Sequence, residues 1–344
     1  MYPLKKVRVL VVDDSLLFRE AVARGISNDK GIEVVGTASN PFEARDLIVE
    51  LEPDVLTLDI EMPRMNGIEF LKRLMPQYPM PVVVVSALSN NVFEALNAGA
   101  VDFVTKPNSQ SRNGLDGFIN ELIVKIKIAS IAKVNHNKNE HSNNQLNSNT
   151  HMDSDEVIIA IGASTGGTEA IFDIISALPR EMPGIVIVQH MPPVFTKMYA
   201  ERLNASCKME VKEAEHGDEI TAGRVLIAPG DKHLRVNKKG KSYIVECFDG
   251  DKVNGHKPSV DVLFNSVAEK VGKNSIGIIL TGMGYDGAKG LLNMKKKGSI
   301  TIGQDEKSCV VYGMPKVAYN FGAVLKQVSL KNMPQIICSI INKI

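Results

Sequence analysis

The chain has 344 residues, of which 44% are hydrophobic and 23% charged, with Lys+Arg 40 against Asp+Glu 39. This length permits two domains that each bury a core, and the balanced charge argues against a nucleic-acid-binding protein. No apolar stretch approaches the roughly 18 residues that a membrane span needs, and the four cysteines lack CxxC spacing. We therefore expect a cytoplasmic protein with reduced thiols and no membrane insertion.

The first part of the chain alternates short apolar runs with helical patterns. The runs typical of buried strands are VRVLVVDD (7–14), EVVGTA (33–38), DVLTLD (54–59), PVVVVSA (81–87) and DFVTKP (102–107). Apolar strands that are each followed by a helix indicate a doubly wound parallel sheet, covered on both faces. Functional groups in such folds gather at the carboxyl ends of the strands.

Polar residues stand at those strand ends in the first part of the chain. Asp13 and Asp14 follow the first strand, Asp59 ends the third, and Ser86 and Lys106 end the fourth and fifth. Three close carboxylates need a cation, and oxygen ligands suit Mg²⁺. Asp59 is the best candidate for a carboxylate that attacks phosphorus, with the lysine and the hydroxyl holding the phosphoryl group. Any one of these acids alone could simply end a strand or cap a helix.

The motifs VVDDS, LDIEMPRMNG, VVVVSA and VTKP together resemble the receiver domain of two-component response regulators, over residues 5 to about 128. The resemblance implies a flavodoxin-like fold in which Asp59 is the phosphoacceptor. It implies that Mg²⁺ is bound by Asp13, Asp14, Asp59 and the main-chain carbonyl of Glu61. It also implies that three residues respond to the phosphoryl group, namely Ser86, Phe103 and Lys106.

From residue 133 to about 155 the periodicity stops, and the sequence is rich in Asn, Ser and irregularly spaced His. Such a segment buries too little apolar surface to become ordered, and it predicts a flexible, solvated linker rather than a metal site. We therefore predict a first domain over 1–130, a linker over 131–155 and a second domain over 156–344.

The second half returns to alternating strands and helices. Its apolar runs are VIIAIG (157–162), GIVIVQH (184–190), RVLIAPG (224–230) and SIGIILTG (275–282). The segment 232–248 alternates like an antiparallel hairpin around NKKGK. The second domain is therefore predicted as a Rossmann-like α/β domain with some antiparallel strands.

Residues 162–166 match G-x-S-x-G between a strand and a helix, the setting in which Ser164 would be presented as a nucleophile on a sharp turn. The segment lacks the Lys of a P-loop, and its glycines do not fit G-x-G-x-x-G. A base is needed, and His190 ends a strand at the same predicted sheet edge. The other histidines outside the linker are interpreted as structural: His216, His233 and His256.

An acid should orient that base and stabilise its charged form. Asp286 lies beyond another apolar strand in the glycine-rich loop GMGYDG, ahead of a helix. Asp231, in a turn, and Asp261, on a helical stretch, are weaker candidates. The order Ser, His, Asp along the chain differs from that of the α/β-hydrolases.

The motifs GASTGG, VIVQHMP, IAPGDKH, HKPSVDVLF and LTGMGYDG together resemble the catalytic domain of the chemotaxis protein-glutamate methylesterase (CheB) family, from about Val157 onward. A receiver, a linker and this domain form the family's architecture. The resemblance implies Ser164 as nucleophile, His190 as base and Asp286 as acid. It implies that Thr165 and Met283 line the site, with the Met283 N–H as an oxyanion donor.

The same resemblance implies the reaction and the partners. The domain would hydrolyse glutamate γ-methyl esters on methyl-accepting chemoreceptors and deamidate receptor glutamines, without a cofactor of its own. A chemotaxis histidine kinase would supply the phosphoryl group, and phosphorylation at Asp59 would raise the activity. The alternative is a receiver fused to a non-catalytic binding or adaptor module, in which GASTGG only holds a ligand.

Overall fold

The computed structural model describes residues 5–87, 91–107, 114–134 and 157–343. They form two compact units, one on each side of the predicted linker. Most of that linker, residues 135–155, lies outside the described residues, so its flexibility stays a prediction. None of the helices in the described part of the chain is long and apolar enough to cross a lipid bilayer.

The first unit alternates strands with helices along its described residues. The strands are β1 (Val7–Val12), β2 (Ile32–Ala38), β3 (Val55–Asp59), β4 (Val82–Ser86) and β5 (Asp102–Thr105). The helices are α1 (Leu16–Ser27), α2 (Pro41–Leu51), α3 (Gly67–Leu74), α4 (Val92–Asn97) and α5 (Gly114–Ala129). Ser15, Asn40 and Asn66 begin the first three helices, because their side chains accept hydrogen bonds from first-turn N–H groups.

The strands of the first unit form one parallel sheet in the order β2-β1-β3-β4-β5. Strands β3 and β4 are buried along their whole length, which explains their unbroken apolar runs. The strand order reverses between β1 and β3, and in doubly wound sheets the ligand crevice lies at that reversal. Asp13 follows β1 and Asp59 ends β3, so both carboxylates stand at this crevice.

The second unit is larger and is also built from alternating elements. The strands are β6 (Ile158–Ala163), β7 (Gly184–Gln189), β8 (Glu210–Glu213), β9 (Arg224–Ile227), β10 (His233–Lys239), β11 (Ser242–Phe248), β12 (Ser275–Ile279), β13 (Ile300–Gln304) and β14 (Lys326–Val328). The helices are α6 (Gly167–Ala177), α7 (Phe195–Ser206), α8 (Val260–Lys270), α9 (Ala288–Lys296), α10 (Met314–Asn320) and α11 (Met333–Ile341). Two 3₁₀ turns, Gly272–Asn274 and Leu330–Asn332, complete the described elements.

The main sheet of the second unit is parallel throughout, in the order β14-β13-β12-β6-β7-β9-β8. Strands β10 and β11 form a separate antiparallel pair, as the alternation of residues 232–248 predicts. The predicted fold class, two doubly wound α/β units with antiparallel strands in the second, is confirmed. In this order β7 lies on one side of β6, and β12 lies on the other side. The strand order therefore reverses beside β6.

Strands β8, β13 and β14 are absent from the sequence predictions. Strands β8 and β14 are the two edges of the sheet, where charged residues are tolerated because one side of the strand has no partner. Their sequences, EVKE and KQV, therefore lack an apolar run. Strand β13, ITIGQ, is short and interrupted by polar residues and glycine.

Candidate functional site

The three carboxylates of the first unit meet as predicted from the strand ends. Asp13, Asp14 and Asp59 each place a carboxylate oxygen within 4.8 Å of the others. Asp13 and Asp59 are buried, whereas Asp14 is exposed to solvent. Buried like charges repel unless a cation lies between them, so this group is chemically suited to a hard divalent ion.

Lys106 provides positive charge to this cluster. Its Nζ donates a hydrogen bond to Asp59 Oδ2 at 2.7 Å and lies 2.8 Å from Asp13 Oδ2. The second contact is a close ion pair with poor hydrogen-bond angles, so the Lys106 ammonium faces both buried carboxylates. The Glu61 N–H donates to Asp59 Oδ1 at 3.2 Å. Carboxylate oxygens only accept, and the three acids still offer lone pairs to a divalent cation.

The protonation of Asp59 reflects this crowding. Burial raises the pKa of Asp59 to about 6, and the nearby Asp13 carboxylate adds to the rise while Lys106 opposes it. Burial also disfavours the charged form of Lys106, but its contacts with the two aspartates outweigh burial and raise its pKa above the usual value. The charged form of Asp59 is therefore short of stabilising partners in the protein alone.

The remaining predicted residues of the first unit lie along the same edge. Ser86 is fully buried at the end of β4, and its hydroxyl donates to the Ala87 carbonyl at 2.7 Å. The Lys106 N–H donates to the Ser86 carbonyl at 2.8 Å, which joins the ends of β4 and β5. Phe103 lies within β5 and is buried.

Ser164 follows β6 and begins the turn into α6. The Gly167 N–H donates to the Ser164 carbonyl at 2.7 Å, which closes a four-residue turn. Gly166 occupies the third position with φ 76° and ψ −4°, the backbone of a type II turn. The turn thus places the left-handed conformation on glycine, and Ser164, which is half-buried, has no positive φ.

The glycines around Ser164 allow a close approach of the β12–α9 loop. A Cβ on Gly282 would lie 2.6 Å from Ser164 Cβ and 2.5 Å from Met314 Sδ. The Ser164 N–H donates to the Thr281 carbonyl at 3.0 Å, and the Thr281 hydroxyl donates to the Thr165 carbonyl at 3.0 Å. The loop that starts at residue 281 is therefore held directly against the serine turn.

Thr165 and Met283, which the family resemblance places in the site, differ in exposure. Thr165 is buried in the turn after Ser164. Met283 follows Gly282 in the loop, and its side chain is 42% exposed. Within the described residues the Met283 N–H makes no hydrogen bond to the protein. This donor is thus available to a ligand next to Ser164.

His190 lies at the end of β7, one strand from Ser164. Its N–H donates to the Ala163 carbonyl at 3.1 Å, which joins the ends of β6 and β7. Its Nε2 lies 2.9 Å from Asp286 Oδ2 and donates, because a carboxylate only accepts. Its Nδ1 is buried with no hydrogen-bond partner in the described part of the chain. In a neutral ring Nδ1 is therefore the acceptor nitrogen, and it makes no hydrogen bond to Ser164 Oγ in this structure.

A buried amide ties the backbones of the serine and the histidine together. Gln189 Nε2 donates to the Ser164 carbonyl at 2.9 Å and to the His190 carbonyl at 3.3 Å. No sequence motif singled out Gln189. Gln189 lies just before His190 at the end of a buried strand, and a buried amide needs hydrogen-bond partners. This position could have indicated a role for Gln189.

Asp286 is buried and accepts five hydrogen bonds. The donors to Oδ2 are His190 Nε2 at 2.9 Å and the Val260 N–H at 2.7 Å. The donors to Oδ1 are Asn254 Nδ2 at 2.8 Å, Ser259 Oγ at 2.8 Å and the Asp261 N–H at 3.2 Å. Both carboxylate oxygens are thus fixed, and Oδ2 is directed at the histidine ring.

These donors decide the charge of Asp286. Burial alone would raise its pKa, but the hydrogen bonds from His190, Asn254 and Ser259 outweigh burial and hold the pKa well below its usual range. The N–H groups of Val260 and Asp261 belong to the first turn of α8, where the helix dipole also favours negative charge. Asp286 is therefore a permanent anion beside His190.

The other histidines have different surroundings. His233 is buried, its Nε2 bonds to the Asp251 carbonyl at 2.8 Å, and the Ser259 N–H donates to its Nδ1 at 3.3 Å. His216 is exposed. His256, by contrast, stacks on His190 with ring centroids 3.7 Å apart and an angle of 8° between the planes. The sequence analysis did not anticipate this contact.

The two weaker acid candidates also lie apart from the histidine. Asp231 has φ 60° in an exposed turn and pairs with Lys257 at 3.3 Å. Asp261 is buried and accepts from the Gly290 N–H at 2.6 Å and from Asn254 Nδ2 at 2.7 Å. Asp261 is therefore a neighbour of Asp286, while Asp286 is the acid that His190 contacts.

Two family models match this chain. The family model "CheB methylesterase" matches residues 159–337, and the model "Response regulator receiver domain" matches residues 9–113. A relative from Syntrophomonas wolfei named protein-glutamate methylesterase/protein-glutamine glutaminase 2 is 58% identical over 341 residues, 99% of each chain. A Salmonella typhimurium protein named protein-glutamate methylesterase/protein-glutamine glutaminase is 48% identical over 96% of each chain.

A solved structure supports the fold of the second unit. The crystal structure of the Thermotoga maritima CheB methylesterase catalytic domain is 40% identical, with a TM-score of 0.53. It covers 54% of this chain and 98% of that chain. Both family resemblances drawn from the sequence are confirmed by these matches. The chain therefore belongs to the CheB methylesterase family and carries a response regulator receiver domain ahead of its methylesterase domain.

Proposed function

We propose that this chain is a phosphorylation-activated chemotaxis enzyme that hydrolyses glutamate γ-methyl esters on chemoreceptors and deamidates receptor glutamines. The observation that carries the proposal is the hydrogen bond between His190 Nε2 and the permanently charged Asp286. In a neutral ring this bond makes Nδ1 the acceptor nitrogen, at the sheet edge where Ser164 follows its strand, and Nδ1 has no hydrogen-bond partner among the described residues. The names of the relatives from two organisms agree with this chemistry.

In the proposed first step, Ser164 Oγ attacks the γ-carbonyl carbon of the substrate while His190 Nδ1 takes the hydroxyl proton. Asp286 stabilises the resulting imidazolium and keeps the ring tautomer that leaves Nδ1 as the acceptor. In the well-known serine protease arrangement the acid bonds to Nδ1 and Nε2 is the base, whereas here the two nitrogens exchange roles. Hydrogen bonds between nucleophile and base are often long without substrate and tighten when it binds.

The tetrahedral intermediate needs donors for its oxyanion. The Met283 N–H is free of protein acceptors among the described residues and belongs to the loop that packs on Ser164. Such a donor, fixed before the reaction, lowers the barrier without reorganisation. We assign this role to Met283, with Thr165 lining the same site.

Collapse of the intermediate expels the leaving group. The proton on His190 passes to the ester oxygen, so that methanol departs, or to the amide nitrogen of a glutamine, so that ammonia departs. A glutamyl ester on Ser164 remains in both cases. Water then attacks this glutamyl ester with His190 again as base. The receptor glutamate side chain is released as a carboxylate, and the serine is restored. Apart from the substrate and water, every group in these steps belongs to the protein.

The first unit would control this activity through Asp59, the proposed phosphoacceptor. Asp13, Asp14, Asp59 and the Glu61 carbonyl would hold Mg²⁺, which neutralises phosphoryl oxygens when bound. The close approach of the three carboxylates, within 4.8 Å of one another, supports that ligand set. Lys106 and Ser86 would contact the phosphoryl group, and Phe103 would respond to it. The donor would be a chemotaxis histidine kinase in the cytoplasm.

The proposed domain organisation is a receiver over 1–130, a linker over 131–155 and a catalytic domain over 156–344. The matched ranges 9–113 and 159–337 support it. Under this organisation a single chain combines the phosphoryl input and the hydrolytic output, so the effect of phosphorylation can be measured on the full chain.

The test is methanol release from methylated receptor membranes, measured with and without a small-molecule phosphodonor and Mg²⁺. We expect release by the full chain, stimulation by the phosphodonor, loss of stimulation in Asp59→Asn and loss of release in Ser164→Ala. A receiver fused to a non-catalytic adaptor would give the same output with and without Ser164. Unchanged methanol release in Ser164→Ala would therefore overturn the proposal.

A further inference from the structure

A tight turn at residues 253–256 lies beside the acid and the base of the candidate site. Its ends exchange two backbone hydrogen bonds, His256 N to Val253 O at 2.9 Å and Val253 N to His256 O at 3.0 Å. Between them, Asn254 and Gly255 have φ values of 54° and 83°. Positive φ at both central positions is typical of a type I′ turn, for which Asn-Gly is a preferred pair. The turn, which we call the 253–256 turn, therefore presents its side chains from a well-defined backbone.

Asn254 connects two buried carboxylates. Its Nδ2 donates to Asp286 Oδ1 at 2.8 Å and to Asp261 Oδ2 at 2.7 Å. An amide nitrogen has two hydrogens, so one group satisfies both acceptors. Burial raises the pKa of Asp261, and repulsion from Asp286 adds to the rise. Asn254 thus lies between two groups that repel each other, and its bond to Oδ1 helps to fix the rotation that directs Oδ2 of Asp286 at His190.

His256 contacts the base rather than the acid. Its ring lies nearly parallel to that of His190, with centroids 3.7 Å apart. The hydrogen bond from His190 Nε2 to Asp286 fixes one point of the ring but leaves the ring free to tilt about that point. A flat ring stacked on its face restricts this tilt. A stacked aromatic face also interacts favourably with the imidazolium that forms during the reaction.

We propose that the 253–256 turn is a positioning element for the acid–base pair, in which Asn254 orients the Asp286 carboxylate and His256 fixes the plane of the His190 ring. The inference rests on the proposed function, because it takes the roles of His190 and Asp286 from there. Both residues act through the acid and the base, so they are positioning residues and take no proton from the substrate.

The first test observes the acid–base pair without measuring activity. In the full chain labelled with ¹⁵N-histidine, the proton between His190 Nε2 and the Asp286 carboxylate should give a far-downfield NMR resonance. We expect His256→Ala and Asn254→Ala to shift this resonance upfield or broaden it by exchange, and His256→Phe to retain it because a flat ring remains. The matched controls are His216→Ala and Asn293→Ala, two exposed positions away from the pair. An unchanged resonance in His256→Ala and Asn254→Ala would overturn the inference.

The second test separates turnover from binding. Loss of the stacked ring in His256→Ala should lower kcat about fivefold, from the usual strength of an aromatic pair. Asn254→Ala loses two hydrogen bonds, and loss of the one to Asp286, which orients the acid, should lower kcat about tenfold. KM should stay unchanged in both, and kcat of His256→Phe should stay within about twofold of the wild type. Wild-type kcat in both alanine variants would contradict the inference while leaving the proposed function intact.

The outcomes for the two proposals can be told apart. Methanol release that persists in Ser164→Ala contradicts the proposed function, whereas the NMR resonance still reports whether the turn orients the pair. If Asn254→Ala does not fold, His256→Ala decides the question, because the His256 ring is half-buried and is not one of the five donors to Asp286. Retention of the resonance and of kcat in that variant would contradict the role of the turn.

Discussion

The replacement Asp286→Asn tests the candidate site most directly, because it removes a charge and keeps the shape. The carboxylate accepts five hydrogen bonds, two on Oδ2 and three on Oδ1. An asparagine offers one acceptor oxygen and one NH₂ group, so in either orientation a donor in the protein faces the NH₂ group. The variant must therefore lose hydrogen bonds wherever its amide points.

The two orientations damage the site in different ways. In the first orientation the asparagine NH₂ group takes the place of Oδ2 and faces the Val260 N–H. His190 Nε2 must then accept a hydrogen bond from this NH₂ group, so the ring proton moves to Nδ1. The base that Ser164 needs is then already protonated. With NH₂ in the place of Oδ1, it faces the Asp261 N–H, and His190 keeps its tautomer but loses the charge that stabilises its imidazolium. Both orientations lower kcat.

The expected loss in kcat is about 10⁴-fold, the effect that the same change has in serine proteases. One unsatisfied buried donor should also lower the free energy of unfolding by about 1–3 kcal/mol at pH 7. The folded pKa of Asp286 lies below its unfolded value near 4. The carboxylate therefore stabilises the fold above that pH, and this contribution is lost as the pH falls toward the folded pKa.

Methanol release at saturating substrate gives kcat, and urea unfolding at several pH values gives stability. The stability difference between wild type and Asp286→Asn should shrink as the pH drops below about 4. Glu269→Gln makes the same chemical change at an exposed position of α8 and should leave both quantities near wild type. Loss of less than tenfold in kcat, or a stability difference independent of pH, would refute the reasoning.

Three further variants test other parts of the molecule. Ser164→Ala should abolish methanol release. Its free energy of unfolding should stay within about 0.5 kcal/mol of wild type, since the half-buried serine side chain makes no hydrogen bond in the described structure. Strong destabilisation would contradict this. Asp59→Asn should raise stability by about 1–2 kcal/mol at pH 7 without Mg²⁺. The reason is that the folded pKa of Asp59 is about 6, so the wild type loses stability as the pH rises from about 4 through 6. Equal stability of the two proteins in urea unfolding at pH 7 would argue against this. Gly282→Ala should lower the free energy of unfolding by about 1–3 kcal/mol and should lower kcat, since its Cβ would lie 2.6 Å from Ser164 Cβ. Gly250→Ala serves as the control, because its Cβ would make only ordinary contacts.

Much of the fold follows from the sequence because parallel strands that are buried on both faces need continuous apolar runs. Strands β1, β3, β4, β6 and β7 all carry such runs, and the polar residues after them indicate the functional edge. The edge strands β8 and β14 could not be predicted in this way, because a strand with one free side does not need an apolar sequence. The order of strands within each sheet likewise depends on contacts between distant residues.

The candidate site is less predictable than the fold. Ser164, His190 and Asp286 were each accessible to prediction, since they stand at or just beyond apolar strands. His256 and Asn254 come from a turn that follows the β10–β11 hairpin, and no periodicity connects that turn to the site. Asn-Gly at 254–255 predicts a type I′ turn, but only the packing of the second unit shows that the turn contacts both the acid and the base.

The two functional aspartates have opposite electrostatic surroundings, and this contrast fits their proposed roles. Asp286 has five donors and the N-terminal end of α8, so it remains charged whenever His190 needs a counter-ion. Asp59 has one lysine to share with Asp13, and its burial makes the bare carboxylate costly. A carboxylate that must only stabilise charge benefits from many fixed donors, whereas one that must form a bond to phosphorus would lose nucleophilicity if its oxygens were saturated. In its proposed role, Asp59 would depend on a bound cation for the stabilising partners that Asp286 already has within the protein.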